Sequence, residues 1–452
     1  MKSINPATNE VMKEYTEYSF EQIDIITNEV HKEFYQWRQT SFSERSNLMH
    51  QVAIKLRNKI EEYSKLITLE MGKPIFESRA EVEKCAWVCD YYAENTESFL
   101  QNEFIETDAS KSYIVYDPIG VVLAIMPWNF PFWQVFRFLA PTIMTGNTAL
   151  LKHASNVSGC AMAIEKIFQE SGFPKNTFRT LLIPSKFVKN IIVDKRITAV
   201  TLTGSEFAGS SVAEITGKSI KKTVLELGGS DPFIILDDAD IDECVDVAIT
   251  SRFMNAGQSC ISAKRFIVVE SRIEEFTEKL VQKVKSLKMG NPLDETTQIG
   301  PLAKIEFVEE IHKQVSCSVE QGAKLLTDGK LHQFSGNFYP PTILTNVQKG
   351  MPVYDEETFG PVLAIIPVKN IEEAIDVAND SEFGLGASLW TSNLENAELL
   401  ARNIESGSVF INGIVKSDPR LPFGGVKKSG YGRELSHYGI KEFANIKTIW
   451  IK

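Results

Sequence analysis

Apolar residues recur along the chain with two different periods, which predict two kinds of structure. In residues 20–105 they follow helical spacing, as in 52–56, and Gly72-Lys73-Pro74 interrupts the pattern. Residues 112–116 alternate apolar and polar positions, as a strand does. The turn signal Asp117-Pro118-Ile119-Gly120 follows directly, so the pattern favours a hairpin at this point.

From residue 121 onward, short apolar strands alternate with helical stretches. The first run predicts strands at 121–126, 148–152, 179–183 and 199–202, and helices at about 132–145, 157–171 and 206–217. The second run predicts strands at 233–236 and 265–269 and helices near 240–255 and 272–287, and it continues to about residue 410. Such alternation favours parallel sheets with helices on both faces, so we expect an α/β fold with two lobes.

The last residues predict one more strand. Residues 446–451 alternate apolar and polar positions over their first half. A terminal strand needs a partner edge, and we expect a neighbouring subunit to provide it.

Composition excludes some classes of function. The 452 residues carry a net charge of -11, which argues against a nucleic-acid partner. No apolar run approaches the roughly 20 residues of a membrane helix, and the N-terminus has no apolar signal region. We therefore expect no membrane partner and a cytoplasmic location.

Cysteine and histidine positions predict no metal site and no disulfide framework. The six cysteines are spread over the whole chain, and the six histidines show no ligand spacing. Cys85 and Cys89 share a helix face, for which buried packing is a better interpretation than metal binding.

Cys260 is the residue whose surroundings suggest chemistry. A lone cysteine is usually a small buried hydrophobe. Here Asn129 lies between two prolines in 127–131, and Glu226 stands on a Gly228-Gly229 turn. An amide, a glutamate and a cysteine within a nucleotide-type α/β pattern suggest covalent catalysis with a cofactor.

Residues 203–209 suggest where a cofactor would bind. This segment follows a predicted strand and opens a helix, so its backbone N–H groups can face an anion. Its glycines are five residues apart, which is not the usual dinucleotide spacing, and a simple β-α turn remains an equal alternative. Lys152 ends another predicted strand. Its side chain either donates a hydrogen bond to a ribose or is a solvated lysine.

Five segments together resemble the motif set of the aldehyde dehydrogenase superfamily, in family order and over nearly the entire chain. They are residues 127–131, 226–229, 257–260, 357–361 and 422–430. Residues 133–137 and 151–157 are most similar to bacterial succinate-semialdehyde dehydrogenases. The resemblance implies a Rossmann-like cofactor domain (1–107 and 121–228), a second α/β catalytic domain (229–430) and a small β oligomerisation element (108–120 and 431–452).

The resemblance also implies the residue roles. Cys260 would attack the aldehyde, Asn129 would hold the oxyanion and Glu226 would activate the hydrolytic water. NAD or NADP would contact Ile125, Pro127, Trp128, Lys152, Ser155, Ser205, Leu227, Gly228, Glu357 and Phe359. Succinate semialdehyde would contact Trp133, Arg137 and Ser417, with Arg137 clamping its carboxylate. A homodimer or homotetramer is expected.

Two departures from the family pattern matter. Many NAD-preferring relatives have a glutamate where this chain has Ser155, so a 2′-phosphate is permitted here and NADP is expected to serve. Some relatives have a second cysteine where this chain has Ser262, so a local redox disulfide is impossible. The alternatives are a dehydrogenase of another small aldehyde, a thiol esterase or hydrolase, a coenzyme A-dependent acylating enzyme, and a catalytically silent binding protein.

Overall fold

Helices dominate the N-terminal part of the chain, as the apolar spacing predicts. The computed structural model describes residues 1–327, 329 and 335–452, so His332 lies outside the described residues. The first elements are β1 Lys2–Ile4, β2 Val11–Glu14, α1 Phe20–Trp37, α2 Phe42–Asn58, α3 Ile60–Met71, α4 Ile75–Phe99, β3 Glu103–Phe104 and β4 Lys111–Pro118. Gly72, at φ +86°, ends α3, and α4 begins directly after Pro74.

The first strand-helix run forms a parallel sheet. Its elements are β5 Val121–Met126, α5 Trp133–Thr145, β6 Thr148–His153, α6 Ser158–Glu170, β7 Phe178–Thr180, α7 Val188–Ile192, β8 Ile197–Thr203, α8 Glu206–Lys218 and β9 Lys222–Glu226. The strand order is β9-β8-β5-β6-β7, so the chain proceeds outward from β5 in both directions. Ligands of such sheets bind beyond the carboxyl ends of the strands, where the order reverses.

The second run forms another largely parallel sheet. Its elements are β10 Pro232–Ile235, α9 Ile241–Phe253, β11 Arg265–Val269, α10 Glu270–Lys285, α11 Ile305–Glu320, β12 Lys324–Leu325, β13 Thr342–Thr345, α12 Pro352–Asp355, β14 Val362–Val368, α13 Ile371–Asn379, β15 Phe383–Gly384, β16 Gly386–Trp390, α14 Leu394–Ala401 and β17 Ser408–Ile411. The strand order is β12-β13-β14-β11-β10-β16-β17, and β12 is antiparallel to β13. The α/β class predicted from the sequence is confirmed.

The C-terminal residues return to earlier parts of the fold. They form β18 Val426–Lys427, β19 Gly430–Tyr431, α15 Ser436–Glu442 and β20 Ala444–Ile451. Strand β19 pairs with β9 of the first sheet, and β18 pairs with β15. Strand β20 pairs antiparallel with β4 along its whole length, and β3 lies on the other side of β4.

The small sheet departs from two sequence expectations. The hairpin favoured at residues 117–120 is wrong, because β4 pairs with β20 and β3 while β5 enters the first parallel sheet. The C-terminal strand finds its first partner, β4, in its own chain, which leaves the outer edge of β20 for any neighbouring subunit. Glu103–Phe104 pairs within the small sheet and Gly430–Tyr431 pairs with β9 of the first parallel sheet, and the domain division itself stays a prediction.

The described residues contain neither a membrane-spanning helix nor a cluster of metal ligands. None of the helices in this part of the chain is long and apolar enough to cross a membrane. Within the same residues, no group of three or more histidine, cysteine, aspartate or glutamate side chains is placed to hold a metal ion.

Candidate active site

The first parallel sheet brings four of the predicted segments to one edge. Pro127 follows β5, Ser155 follows β6, Ser205 follows β8 and Leu227 follows β9. Because carboxyl ends of parallel strands meet at the same edge, segments far apart in sequence become neighbours. Ile125 and Lys152 are paired directly on β5 and β6.

The loop that carries Cys260 has an unusual backbone. Asn255, Ala256 and Gly257 all have positive φ angles, of 54°, 52° and 74°. A Cβ at Gly257 would overlap the carbonyl oxygen of Gly360, so only glycine lets the two segments approach. The buried Arg252 bonds to the carbonyls of Thr358 (2.9 Å) and Gly360, and thereby joins this loop to the Glu357 segment.

Asn129 is attached to the same loop. Its Nδ2 donates to the Gln258 carbonyl at 3.1 Å, and Asn255 Nδ2 donates to the Asn129 carbonyl at 2.8 Å. Asn129 is 4% exposed. The Asn129 amide nitrogen is therefore held against Gln258, the second residue before Cys260 in the sequence. Its other proton is available to donate a hydrogen bond to an oxyanion.

The environment of Cys260 favours the neutral thiol. Burial raises the pKa of the Cys260 thiol to about 12, while Arg137 and Lys264 act in the opposite direction. Lys264 donates to the Cys260 carbonyl at 2.8 Å and to the Ser259 carbonyl at 3.1 Å. A further positive charge, or a base, is needed to ionise the thiol at neutral pH.

Glu226 is a buried carboxyl at the end of β9. Burial, and next the nearby Glu434, raise the pKa of Glu226 well above its ordinary value, while Arg137 lowers it. Within the described part of the chain neither carboxyl oxygen has a hydrogen-bond partner. The carboxyl faces Gly424 and does not line the cavity that contains Cys260, so it must move to reach a water there.

Cys260 opens into a cavity of about 560 Å³. The cavity wall includes all three residues predicted to bind substrate, Trp133, Arg137 and Ser417. Trp133 Nε1 donates to Ser417 Oγ at 3.0 Å. The structure thus brings the predicted nucleophile and the predicted substrate residues to one enclosed space.

Arg137 is already engaged in several contacts. Its Nε forms an ion pair with Glu434, and its Nη2 donates to Thr203 Oγ1 at 3.3 Å. Its guanidinium packs 4.7 Å from the Phe423 ring centre, and the residue is 2% exposed. A bidentate clamp that uses Nε and Nη2 is therefore not available in this arrangement.

The predicted cofactor residues form a second group. Lys152 is 9% exposed, and burial, followed by the nearby Lys304, lowers the pKa of Lys152. Ser155 is exposed beside it, and Ser205 is the N-cap of α8, where its hydroxyl accepts from the Ala208 N–H at 3.3 Å. A buried cation and an exposed helix N-terminus on one sheet edge are suited to the ribose and phosphates of a dinucleotide.

Glu357 and Phe359 lie between the residues around Cys260 and the predicted cofactor residues. Glu357 accepts from the Gly229 N–H at 3.0 Å and lies 3.4 Å from Lys264 Nζ. A Cβ on Gly228 would overlap this carboxylate, which explains a glycine at that position. The Phe359 ring meets Trp128 edge to face at 5.8 Å.

Sequence reasoning missed three charged residues of this site. Lys84 on α4 lines the cavity, Lys264 holds the Cys260 carbonyl, and Glu434 pairs with Arg137. Lys264 lies four residues after Cys260, so its position in the sequence could have indicated a residue of the site. Lys84 and Glu434 gave no signal, because their partners are hundreds of residues away in the sequence.

Comparisons with known proteins agree on one family. The family model described as "Aldehyde dehydrogenase family" matches residues 1–449. A probable succinate-semialdehyde dehydrogenase (NADP(+)) of Synechocystis is 51% identical over 449 residues, which cover 99% of each chain. Succinate-semialdehyde dehydrogenase (NADP(+)) 1 of Mycobacterium tuberculosis is 47% identical over 452 residues, again 99% of each chain.

Solved structures give the same result. The crystal structure of succinic semialdehyde dehydrogenase from Streptococcus pyogenes, in complex with NADP+, superimposes with a TM-score of 0.98 at 41% identity. The match covers 100% of this chain and 99% of that chain. A structure of succinate-semialdehyde dehydrogenase from Burkholderia pseudomallei has a TM-score of 0.97 at 31% identity, covering 99% of this chain and 94% of that one.

Proposed function

The chain belongs to the aldehyde dehydrogenase family, and we propose that it oxidises succinate semialdehyde to succinate with NADP. The observation that carries this proposal is the cavity in which Cys260 shares an enclosed space with Trp133, Arg137 and Ser417. Two relatives that match 99% of the chain are named for this substrate and cofactor.

The residues at the edge of the first sheet are suited to NADP. Lys152 and Ser205 would hold the adenosine ribose and the pyrophosphate, and Glu357 and Phe359 the nicotinamide end, with Ile125, Pro127, Trp128, Leu227 and Gly228 around them. Ser155 is exposed beside Lys152 and offers a hydroxyl, whereas a carboxylate there would repel a 2′-phosphate. When bound, NADP supplies the hydride acceptor and a positively charged ring.

Cys260 performs the covalent chemistry in this proposal. After the thiol proton has left to solvent, the sulfur attacks the aldehyde carbon as a thiolate, and the resulting oxyanion accepts hydrogen bonds from Asn129 Nδ2 and the Cys260 N–H. Asn129 is held in place by its bond to Gln258, so the donor needs no reorganisation during the reaction. Oxidation of the thiohemiacetal leaves a thioester on Cys260.

Glu226 completes the reaction by removing a proton from the water that attacks the thioester. Burial, and next Glu434, raise its pKa well above the ordinary value, which makes its carboxylate a stronger base than a solvated one. A buried glutamate in this position favours water over coenzyme A as the acyl acceptor.

An aldehyde panel with each cofactor tests the proposal. We expect the highest kcat/KM with succinate semialdehyde and NADP, measured by the formation of NADPH. Cys260→Ala should abolish oxidation while NADP still binds, because the nucleophile and the cofactor residues lie on separate segments. A higher kcat/KM with a neutral aldehyde such as butanal would contradict the substrate assignment, and residual oxidation by Cys260→Ala beyond a trace would contradict the covalent mechanism.

A further inference from the structure

Lys84 is a half-buried cation of the substrate cavity, and its charge is not paired with a carboxylate among the described residues. It extends from α4 to Ser417, to whose Oγ its Nζ donates at 2.9 Å. The ammonium also lies 4.2 Å from the centre of the Trp133 ring. Within residues 1–327, 329 and 335–452, Lys84 is in no ion pair, and Ser417 is its hydrogen-bond acceptor.

The charge of Arg137, in contrast, is balanced inside the protein. Its Nε pairs with Glu434, and Nη2 bonds to Thr203. A substrate carboxylate that bound Arg137 would compete with Glu434, whereas one that bound Lys84 would displace no carboxylate. Lys84 is thus the cation that can gain most from an incoming anion.

The Ser417 hydroxyl is also placed to donate a hydrogen bond to a carboxylate. Its oxygen accepts from both Lys84 Nζ and Trp133 Nε1, at 2.9 and 3.0 Å. A hydroxyl oxygen has two acceptor positions, so both are occupied and the hydroxyl proton points elsewhere. That proton and the remaining ammonium protons of Lys84 are the donors that a carboxylate oxygen requires.

We propose that Lys84 binds the carboxylate of the substrate together with Ser417 and determines the preference for carboxylate-bearing aldehydes. The inference rests on the proposed function and adds a residue to it. Arg137 then contributes a positive potential and supports the site through Glu434 and Phe423. The class of ligand is a short aldehyde with an anionic group at the far end from the reacting carbon.

Substitution of Lys84 tests the proposal directly. Lys84→Met removes the charge and keeps the length of the side chain. We expect kcat/KM for succinate semialdehyde to fall by about 10- to 100-fold, mainly through KM, since a charged hydrogen bond to the substrate in a partly buried cavity is lost. The value for butanal should change far less, and Lys84→Arg should restore part of the activity on succinate semialdehyde.

A matched control comes from Lys416, which lines the mouth of the same cavity but is exposed. Lys416→Met removes the same charge from a solvated position, so we expect a much smaller effect on succinate semialdehyde. Equal losses for the two variants would mean that only general electrostatic steering operates, which would overturn the proposal. An equal loss on both aldehydes with Lys84→Met would show a structural role and would overturn it as well.

The pH dependence gives a second measurement. Burial, and next Arg137, lower the pKa of Lys84 to about 8, while Cys85, Glu81 and Asp418 act in the opposite direction. Lys84 therefore loses its charge as the pH rises through about 8, and the ratio of kcat/KM for succinate semialdehyde to that for butanal should fall. Ionisation of Cys260 affects both aldehydes and cancels in this ratio. A ratio that is flat between pH 7 and pH 9, on the order of one unit either side of that pKa, would contradict the inference.

These outcomes separate the inference from the proposed function. If the wild-type protein does not prefer succinate semialdehyde to butanal, the proposed function fails. If it does prefer succinate semialdehyde and Lys84→Met keeps that preference, only the role of Lys84 fails.

Discussion

At the scale of single residues, Glu226 shows how burial changes the proton affinity of a carboxyl group. Its carboxyl is 2% exposed, and burial, followed by the nearby Glu434, raises its pKa well above the ordinary value. In the proposed mechanism Glu226 is the base that takes a proton from the attacking water, so hydrolysis of the thioester is the step that depends on it. In the same proposed mechanism, formation of the thioester involves Cys260 and Asn129 and does not involve this carboxyl.

We therefore predict that Glu226→Gln slows hydrolysis more than oxidation. Rapid mixing should show a burst of NADPH, of about one equivalent per active site, followed by a slow steady state. Glu214→Gln, at an exposed glutamate on α8, serves as the control and should retain the wild-type time course. Equal slowing of both phases would contradict the assignment of Glu226.

Ser155 leads to a prediction about the preference between NADP and NAD. It is exposed beside Lys152, at the edge where a 2′-phosphate would lie. We expect NADP to serve at least as well as NAD, and Ser155→Glu to weaken NADP while sparing NAD, because a carboxylate repels the phosphate. A wild-type preference for NAD of about a hundredfold, or roughly 2.7 kcal/mol, would show that this interpretation is wrong.

The sequence offers candidate residues within motifs, whereas it gives no sign of contacts made across the fold. Cys260, Asn129 and Glu226 stand in short segments whose composition suggests their chemistry. Lys84 meets Ser417 across 333 positions of sequence, and its helix gives no indication of that contact. Likewise, nothing near Arg137 in sequence indicates that Glu434 balances its charge. Such pairings depend on which faces pack together, and a single sequence does not contain that information.

At the scale of elements, the hydrophobic period predicted the parallel sheets and the two long strands of the small sheet, but the turn signal gave the wrong pairing for the first of those strands. The strands of the first sheet appeared where apolar runs alternate with helices, since both faces of a parallel sheet are buried. The hairpin at 117–120 does not form, since β4 pairs with β20, with Ala444 opposite Pro118, and β5 pairs with β6 and β8. A turn signal reports only local geometry, and a distant strand can decide the pairing instead.

The backbone of the loop after α9 leads to a prediction about stability and activity. Gly257 has φ +74°, and a Cβ there would overlap the Gly360 carbonyl oxygen. Gly257→Ala should therefore destabilise the protein by about 2–4 kcal/mol and disturb the Cys260 loop, lowering both the Tm and kcat. Gly217→Ala is the matched control, because Gly217 lies in α8 with nothing within 4 Å of its added Cβ. That variant should keep full activity and be equally or more stable, and a wild-type Tm for Gly257→Ala would contradict the argument.

At the scale of the whole molecule, the small sheet has an open edge and an apolar surface. Strand β20 lies at the edge of the order β20-β4-β3, so its outer backbone groups have no strand partner among the described residues. Ile446, Thr448 and Trp450 share one face of the strand, and Ile446 and Trp450 are 60% and 50% exposed. Natural proteins seldom leave such an edge uncovered, which makes it the surface on which we expect a second copy to bind.

We predict that this face of β20 holds a homodimer or homotetramer together. The double variant Ile446→Lys and Trp450→Lys places two charges on the surface and leaves the pairing with β4 intact, so the protein should still fold but form a smaller assembly. Light scattering measures the mass, and thermal unfolding confirms that each variant is folded. Val193→Lys is the control, because Val193 is an apolar residue of similar exposure, 53%, that lies outside the small sheet. Its mass should match that of the wild type. A wild-type mass for the β20 variant would place the subunit interface elsewhere, and a wild-type protein that is already monomeric would refute the assembly itself.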